Sequence, residues 1–167
     1  MLAGSSRYFI RGNYFAFYYT FVYPFKEEIE LGIPEVAVEN FERNFNRYLS
    51  WIFEGIAKQF LIGLNKADKL PFRFTKIGKW GHKGEEIDIV ALNEREKKVL
   101  FVEVKWKELK EREAREILRD LERKGELVGL EGWEKAYGLV ARGVEGKEEL
   151  RGEGWLAWDL GDFEKTH

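Results

Sequence analysis

Glu86-Ile-Asp-Ile-Val-Ala-Leu92 and Val99-Leu-Phe-Val-Glu-Val-Lys-Trp106, joined by the polar run Asn93 to Lys98, read as two inner strands of a hairpin that carry charge where inner strands normally carry none. Both are rich in β-branched and apolar residues, so burying Asp88, Glu103 and Lys105 costs free energy unless something compensates them. With Leu92 opposite Val99, Val90 falls opposite Phe101 and Asp88 opposite Glu103. Directly opposed residues have Cβ atoms about 4.5 to 5.5 Å apart. Lys105 lies two residues beyond Glu103 and shares its face by the two-residue period of a strand. A slip of two keeps all three together, and a slip of one sends Asp88 to the other side. Two carboxylates and a lysine on one face suit a divalent cation, Mg2+ or Mn2+. Carboxylates are hard oxygen ligands, and the ion activates water and neutralises charge building up on a phosphate. Lys105 would serve the attacking water or hold the phosphate.

Working outward, Pro34 to about Leu64 is helical. Pro34 suits a first helical position, and Phe41, Phe45, Tyr48, Ile52, Ile56 and Phe60 recur at three and four residues. Glu54 flanks that stripe, where an ordinary pairing with Lys58 four residues on would account for it. Phe72 to Ile77 reads as a first strand. Glu108 to Lys124 reads as a second helix, with acids early and Arg119, Arg123 and Lys124 late, as the helix dipole favours, so a solvated face accounts for its charges. Ala136 to Ala141 is a fourth strand, Glu145 to Arg151 a helical turn, and Trp155 to Asp159 a last strand. The result is a mixed α/β domain in the order helix, three strands, helix, strand.

Gly78, Gly81 and Gly84 break the chain after the first strand and hold Lys79, Trp80, His82 and Lys83 between them. Cations on a glycine scaffold with an indole able to stack on a base suit a nucleic-acid contact. Lys76 before this loop and Lys107 after the site extend the basic set. The plainer reading is a solvated hairpin turn with a half-buried Trp80.

At 167 residues the chain is long enough for one good core and short for two ordinary domains. It has no cysteine, which removes disulfides and thiolate zinc sites and fits a reducing, cytoplasmic setting. Charged residues make up 35%, mostly Glu, Lys and Arg, the balance of a heat-adapted protein. The net charge of -2 means that any nucleic-acid contact relies on a local basic patch. The aromatic stretch Tyr8 to Phe25 is interrupted by Arg11 and Asn13 and bounded by Lys26, and it falls short of the roughly 20 residues of a spanning helix. It therefore reads as a packing element and not a membrane segment. Phe15, Phe17, Tyr19 and Phe21, left exposed, would seek a partner or a second copy of the chain in a homodimer.

Asp88, followed some fifteen positions later by Glu103-Val-Lys105 in a hairpin after a long helix, resembles the PD-(D/E)XK nuclease superfamily, whose fold is the restriction-endonuclease-like core. The resemblance runs from about Phe41 to Asp159, with Ile87 standing where that motif has proline. It implies metal ligation by Asp88, Glu103, the backbone of Val104 and Glu54, with Lys105 catalytic, on a DNA substrate. Phe21-Val-Tyr-Pro24, Phe45-Asn-Arg-Tyr-Leu49, Phe53-Glu54, Glu86 to Ala91 and Phe101 to Trp106 are further similar to a C-terminal domain of unknown function that follows the AAA-type ATPase module of archaeal proteins. That second resemblance implies an ATPase partner, and it makes residues 1–33 the end of a linker or winged-helix module ahead of a domain at 34–167. No phosphate-cradling Gly-x-x-x-x-Gly-Lys-Ser/Thr occurs in the chain. Two other readings of the charged trio stay open. One is a catalytically inactive interaction module, and the other a structural ion pair in which Lys105 neutralises one carboxylate.

Overall fold

The computed structural model describes residues 14–164. The chain forms two compact units, Met1–Ile52 and Phe53–His167, and the division falls within its longest helix.

In the first unit the aromatic segment is helical wherever it is described. A π-helical turn at Tyr18–Val22 passes into a 3₁₀ turn at Tyr23–Phe25, where Pro24 occupies an early position that needs no amide donor. A short helix, α1 (Lys26–Glu30), ends at Gly32, whose φ of 76° reverses the chain before α2 (Glu35–Lys66). Tyr8 to Asn13 lie outside the described residues. Phe17 and Phe21 are not exposed, as the sequence suggested, because α2 offers them a matching aromatic stripe. Phe21 is 5.2 Å from the Phe41 ring and 5.3 Å from Tyr48, and Phe17 is 6.0 Å from Tyr48. Phe15 and Tyr19, on the other side of the same turns, do stay exposed.

The second unit is a five-stranded mixed sheet between helices. β1 (Lys76–His82), β2 (Glu85–Asn93) and β3 (Lys98–Leu109) form an antiparallel meander. The helix α3 (Glu111–Glu126) carries the chain to β4 (Glu134–Val144), parallel to β3, and α4 (Lys147–Gly152) carries it to β5 (Leu156–Trp158), parallel to β4; a short α5 (Leu160–Phe163) follows. The strand order β1-β2-β3-β4-β5 leaves β1 and the three-residue β5 at the edges. Alternation sorts the side chains cleanly. Leu100, Val102 and Val104 pack with Phe53, Ala57 and Leu61 of α2, whereas Val99 and Phe101 pack with Leu121 of α3. On α2 the buried positions in this unit are Phe53, Ala57, Phe60, Leu61 and Leu64, so the stripe runs one residue past the expected Ile52 and Ile56, which are half-buried.

Three elements differ from the sequence expectation, each for a local reason. The first strand is Lys76–His82, not Phe72 to Ile77. Phe72 and Phe74 are buried from an irregular segment, and the Asn65 side chain receives the Phe74 N–H at 2.9 Å and donates to the Phe74 carbonyl at 3.1 Å, as a neighbouring strand would. Consequently the glycine-rich stretch is no flexible loop. Lys79, Trp80 and His82 lie on β1, and only Lys83 and Gly84 turn, with φ of 50° and 84°, the left-handed pair that a two-residue hairpin needs. The second helix starts at Glu111 because Glu108 and Leu109 still belong to β3; Lys110 is extended and its N–H is capped by Glu113 at 3.3 Å.

Candidate functional site

β2 and β3 pair with the expected register, Leu92 opposite Val99 and Val90 opposite Phe101, and the ladder ends at Ile89 opposite Val102. One residue further, Asp88 accepts a hydrogen bond from the Val104 N–H through Oδ2 at 2.9 Å, so a carboxylate stands in for the missing rung. The cause is a bulge. Pairing with β1 jumps from Gly78 opposite Val90 to Trp80 opposite Ile87, which leaves one extra residue on β2. Ile87 and Ile89, two apart, accordingly lie in different core clusters, Ile87 with Leu121 of α3 and Ile89 with Phe53 of α2. The simple alternation expected for this strand breaks at Asp88.

Glu103 and Lys105 keep the alternation of Val99 and Phe101 and face α3. Glu103 is 7% exposed, which is rare for a carboxylate, and its two oxygens differ. Oε1 accepts from Lys105 Nζ at 2.9 Å and lies 3.5 Å from Lys124 Nζ. Oε2 is buried with no hydrogen-bond partner. Lys124, which its sequence setting places on a solvated helix face, has only 15% of its side chain exposed. Burial alone would lower its pKa, but Glu103 and Asp120 outweigh that and hold it up. The signal that it faces inward is its neighbour Gly125. A Cβ there would lie 2.8 Å from the Tyr137 ring and 3.2 Å from Phe101, so glycine lets α3 approach the sheet where Lys124 meets Glu103.

Around Asp88 a second set of charges gathers. Lys79 Nζ lies 3.5 Å from Glu54 Oε2 and 3.6 Å from Glu86 Oε2. Glu54 thus takes its ion pair from β1 rather than from Lys58. Burial, then the charge of Asp88, pushes the Glu54 carboxyl up; Lys79 and the more distant Lys105 pull it back. Burial works against the Lys79 ammonium too, but Glu54, Asp88 and Glu86 together hold its pKa high. The structure thus divides the expected residues into two groups, Glu103 with Lys105, joined by Lys124, and Asp88 with Lys79 and Glu54. Val104 joins them by lending its N–H to Asp88.

Among the described residues no three His, Cys, Asp or Glu side chains are gathered to hold a metal ion. Two carboxylates are still a workable set for magnesium, which binds through one or two of them and keeps several waters. The unpartnered Glu103 oxygen is a donor of the right kind. Of the residues expected to touch nucleic acid, Lys76 is paired with Glu94 at 2.8 Å and Lys107 with Glu113 at 2.6 Å. Trp80 is half-buried against the cluster containing Ile87, and His82 and Lys83 are exposed beside it. A groove of about 530 Å3 runs between β3 and α3, and Glu103, Lys105, Lys107, Asp120 and Lys124 line it.

The fold and this charged fork define a mixed α/β domain built on a five-stranded mixed sheet. The chain belongs to the DUF234 family, described as archaeal and bacterial proteins of unknown function, which it matches over residues 18–117. It is 51% identical over 157 residues to the uncharacterized protein MJECL04 of Methanocaldococcus jannaschii, a match covering 94% of this chain and 35% of that protein. The chain therefore spans about a third of the length of this relative. No solved structure matches it. No helix among the described residues is long and apolar enough to cross a membrane.

Proposed function

We propose that this chain is a restriction-endonuclease-like domain that hydrolyses phosphodiesters of DNA with the help of Mg2+ or Mn2+. The observation that carries the reading is the buried, unpartnered Oε2 of Glu103, on the same strand face as Lys105 and one residue from the amide that Asp88 holds. An isolated carboxylate oxygen without a partner is costly in a core, and a cation would repay that cost. Asp88 and Glu103 would hold the ion with the Val104 backbone, and Glu54 would assist from α2. Bound there, a divalent ion supplies an activated water and neutralises charge on the phosphate. Lys105 orients that water or the phosphate, while His82, Lys83 and Trp80 offer an exposed edge for the nucleic acid. The element order, a long helix, three antiparallel strands, a helix and a parallel strand, supports the same reading.

The test is cleavage of branched, single-stranded and duplex DNA with each metal. Lys105→Ala should lower cleavage by about 100-fold or more, the usual scale for a positioned proton-transfer group, Glu103→Gln should lower it at least as far by weakening the hold on the ion, and both variants should still melt cooperatively. Cleavage at the parental rate in both would remove the assignment.

A second reading has its own support. Glu103 already has two lysines, and Lys79 and Lys107 are occupied by acids. A chain so neutralised fits a catalytically inactive module that docks in an ATPase system. A parent chain inert with every metal and substrate would favour it.

A further inference from the structure

The Lys124 ammonium sits between two carboxylates from different elements, 3.5 Å from Glu103 Oε1 on β3 and 3.4 Å from Asp120 Oδ2 one turn earlier on α3. It lines the groove between them. Both flanking acids have other cations close by, Lys105 at 2.9 Å from Glu103 and Arg123 at 2.8 Å from Asp120 Oδ1. The acid pair alone would say little. What sets this place apart is the Glu103 carboxylate, nine-tenths buried, in the groove wall, with one oxygen taking up two ammonium groups and the other taking none.

We infer that the groove holds a divalent-cation position between Glu103 and Asp120, occupied by the protein's own Lys124 ammonium when no metal is bound. Lys124 is a tethered monovalent cation, so a free divalent ion must displace it to reach Glu103 from the helix side. The four-carbon stem of lysine permits that exchange, since the head can turn out to water while the stem keeps its place along the groove. The site would take a hard, oxygen-seeking ion that keeps several waters, because Glu103 and Asp120 supply it with two carboxylates. This inference shares Glu103 with the proposed nuclease site but uses Asp120 in place of Asp88.

Calorimetric titration of the full chain with MnCl2 tests it. Lys124→Met removes the competing charge while keeping the stem, and should bind Mn2+ at least tenfold more tightly than the parent. Adding Asp120→Asn to that variant should abolish the gain, and adding Asp88→Asn should leave it. Should Lys124→Met fold poorly, Lys124→Gln must show the same gain. Binding in the lysine variants no tighter than in the parent, including none in either, overturns the inference, as does a gain that survives Asp120→Asn. Parental binding that Asp88→Asn abolishes, with no gain from Lys124→Met, would leave the nuclease reading standing and remove this one. A gain that needs Asp120, in a chain whose parental binding ignores Asp88, would do the reverse.

Discussion

Truncating Asp88 leaves the Val104 amide without an acceptor where β2 and β3 part. Asp88→Ala should therefore cost about 1 to 3 kcal/mol in denaturant unfolding, the usual penalty for a stranded buried donor. Asp88→Asn keeps an oxygen for that N–H and relieves repulsion with Glu54, so it should stay within about 0.5 kcal/mol of the parent. Equal losses in the two would show that the charge, not the hydrogen bond, is what matters. Asp88, Glu103 and Lys105 could be found in the sequence because charges inside β-branched runs are conspicuous and a strand's two-residue period fixes their faces. The bulge that turns Asp88 toward the Val104 amide could not, since it arises from a mismatch with β1 and leaves no mark in either strand. Lys124 escaped for a different reason. A lysine in the last turns of a charged helix looks the same whether it meets water or a buried carboxylate, and only its neighbour Gly125 distinguishes the two.

At the level of elements, α3 is seated by that glycine. An alanine at position 125 would gain about 1 kcal/mol in intrinsic helix preference, yet its Cβ would meet the Tyr137 ring at 2.8 Å. Overpacking of this kind costs about 1 to 3 kcal/mol. Gly125→Ala should therefore be destabilising on balance by thermal or denaturant melting, although helix preference argues the other way, and a more stable variant would show that α3 can lift off the sheet freely. The hairpin and the two long helices were legible because their apolar periods are long and unbroken. β1 was not. The alternating Phe72 and Phe74 imitate a strand while the side-chain amide of Asn65 does a neighbouring strand's work, and the glycines at 78 and 81 look like breaks although β1 runs through both.

Over the whole chain, exposed apolar side chains are distributed unevenly. Apart from Leu127 and Leu160, every large hydrophobic residue exposed among the described residues lies in the first unit, including Tyr14, Phe15, Tyr19, Tyr23 and Trp51. At about 25 cal/mol per Å2, covering a few of these rings is enough to drive association. Sedimentation should show an average mass that rises with concentration, and Phe15→Ser combined with Tyr19→Ser should restore a monomer; a parent that stays monomeric at high concentration would contradict this. The edges of the sheet point the same way. β5 offers only three residues, and β1 pairs irregularly with the bulged β2 and carries two glycines and exposed lysines. Neither is a long flat template onto which a strand from another chain would add. A concentrated or heated sample of this protein should accordingly clump through its aromatic rings, and fibrils growing by backbone pairing along the sheet should be slow to start.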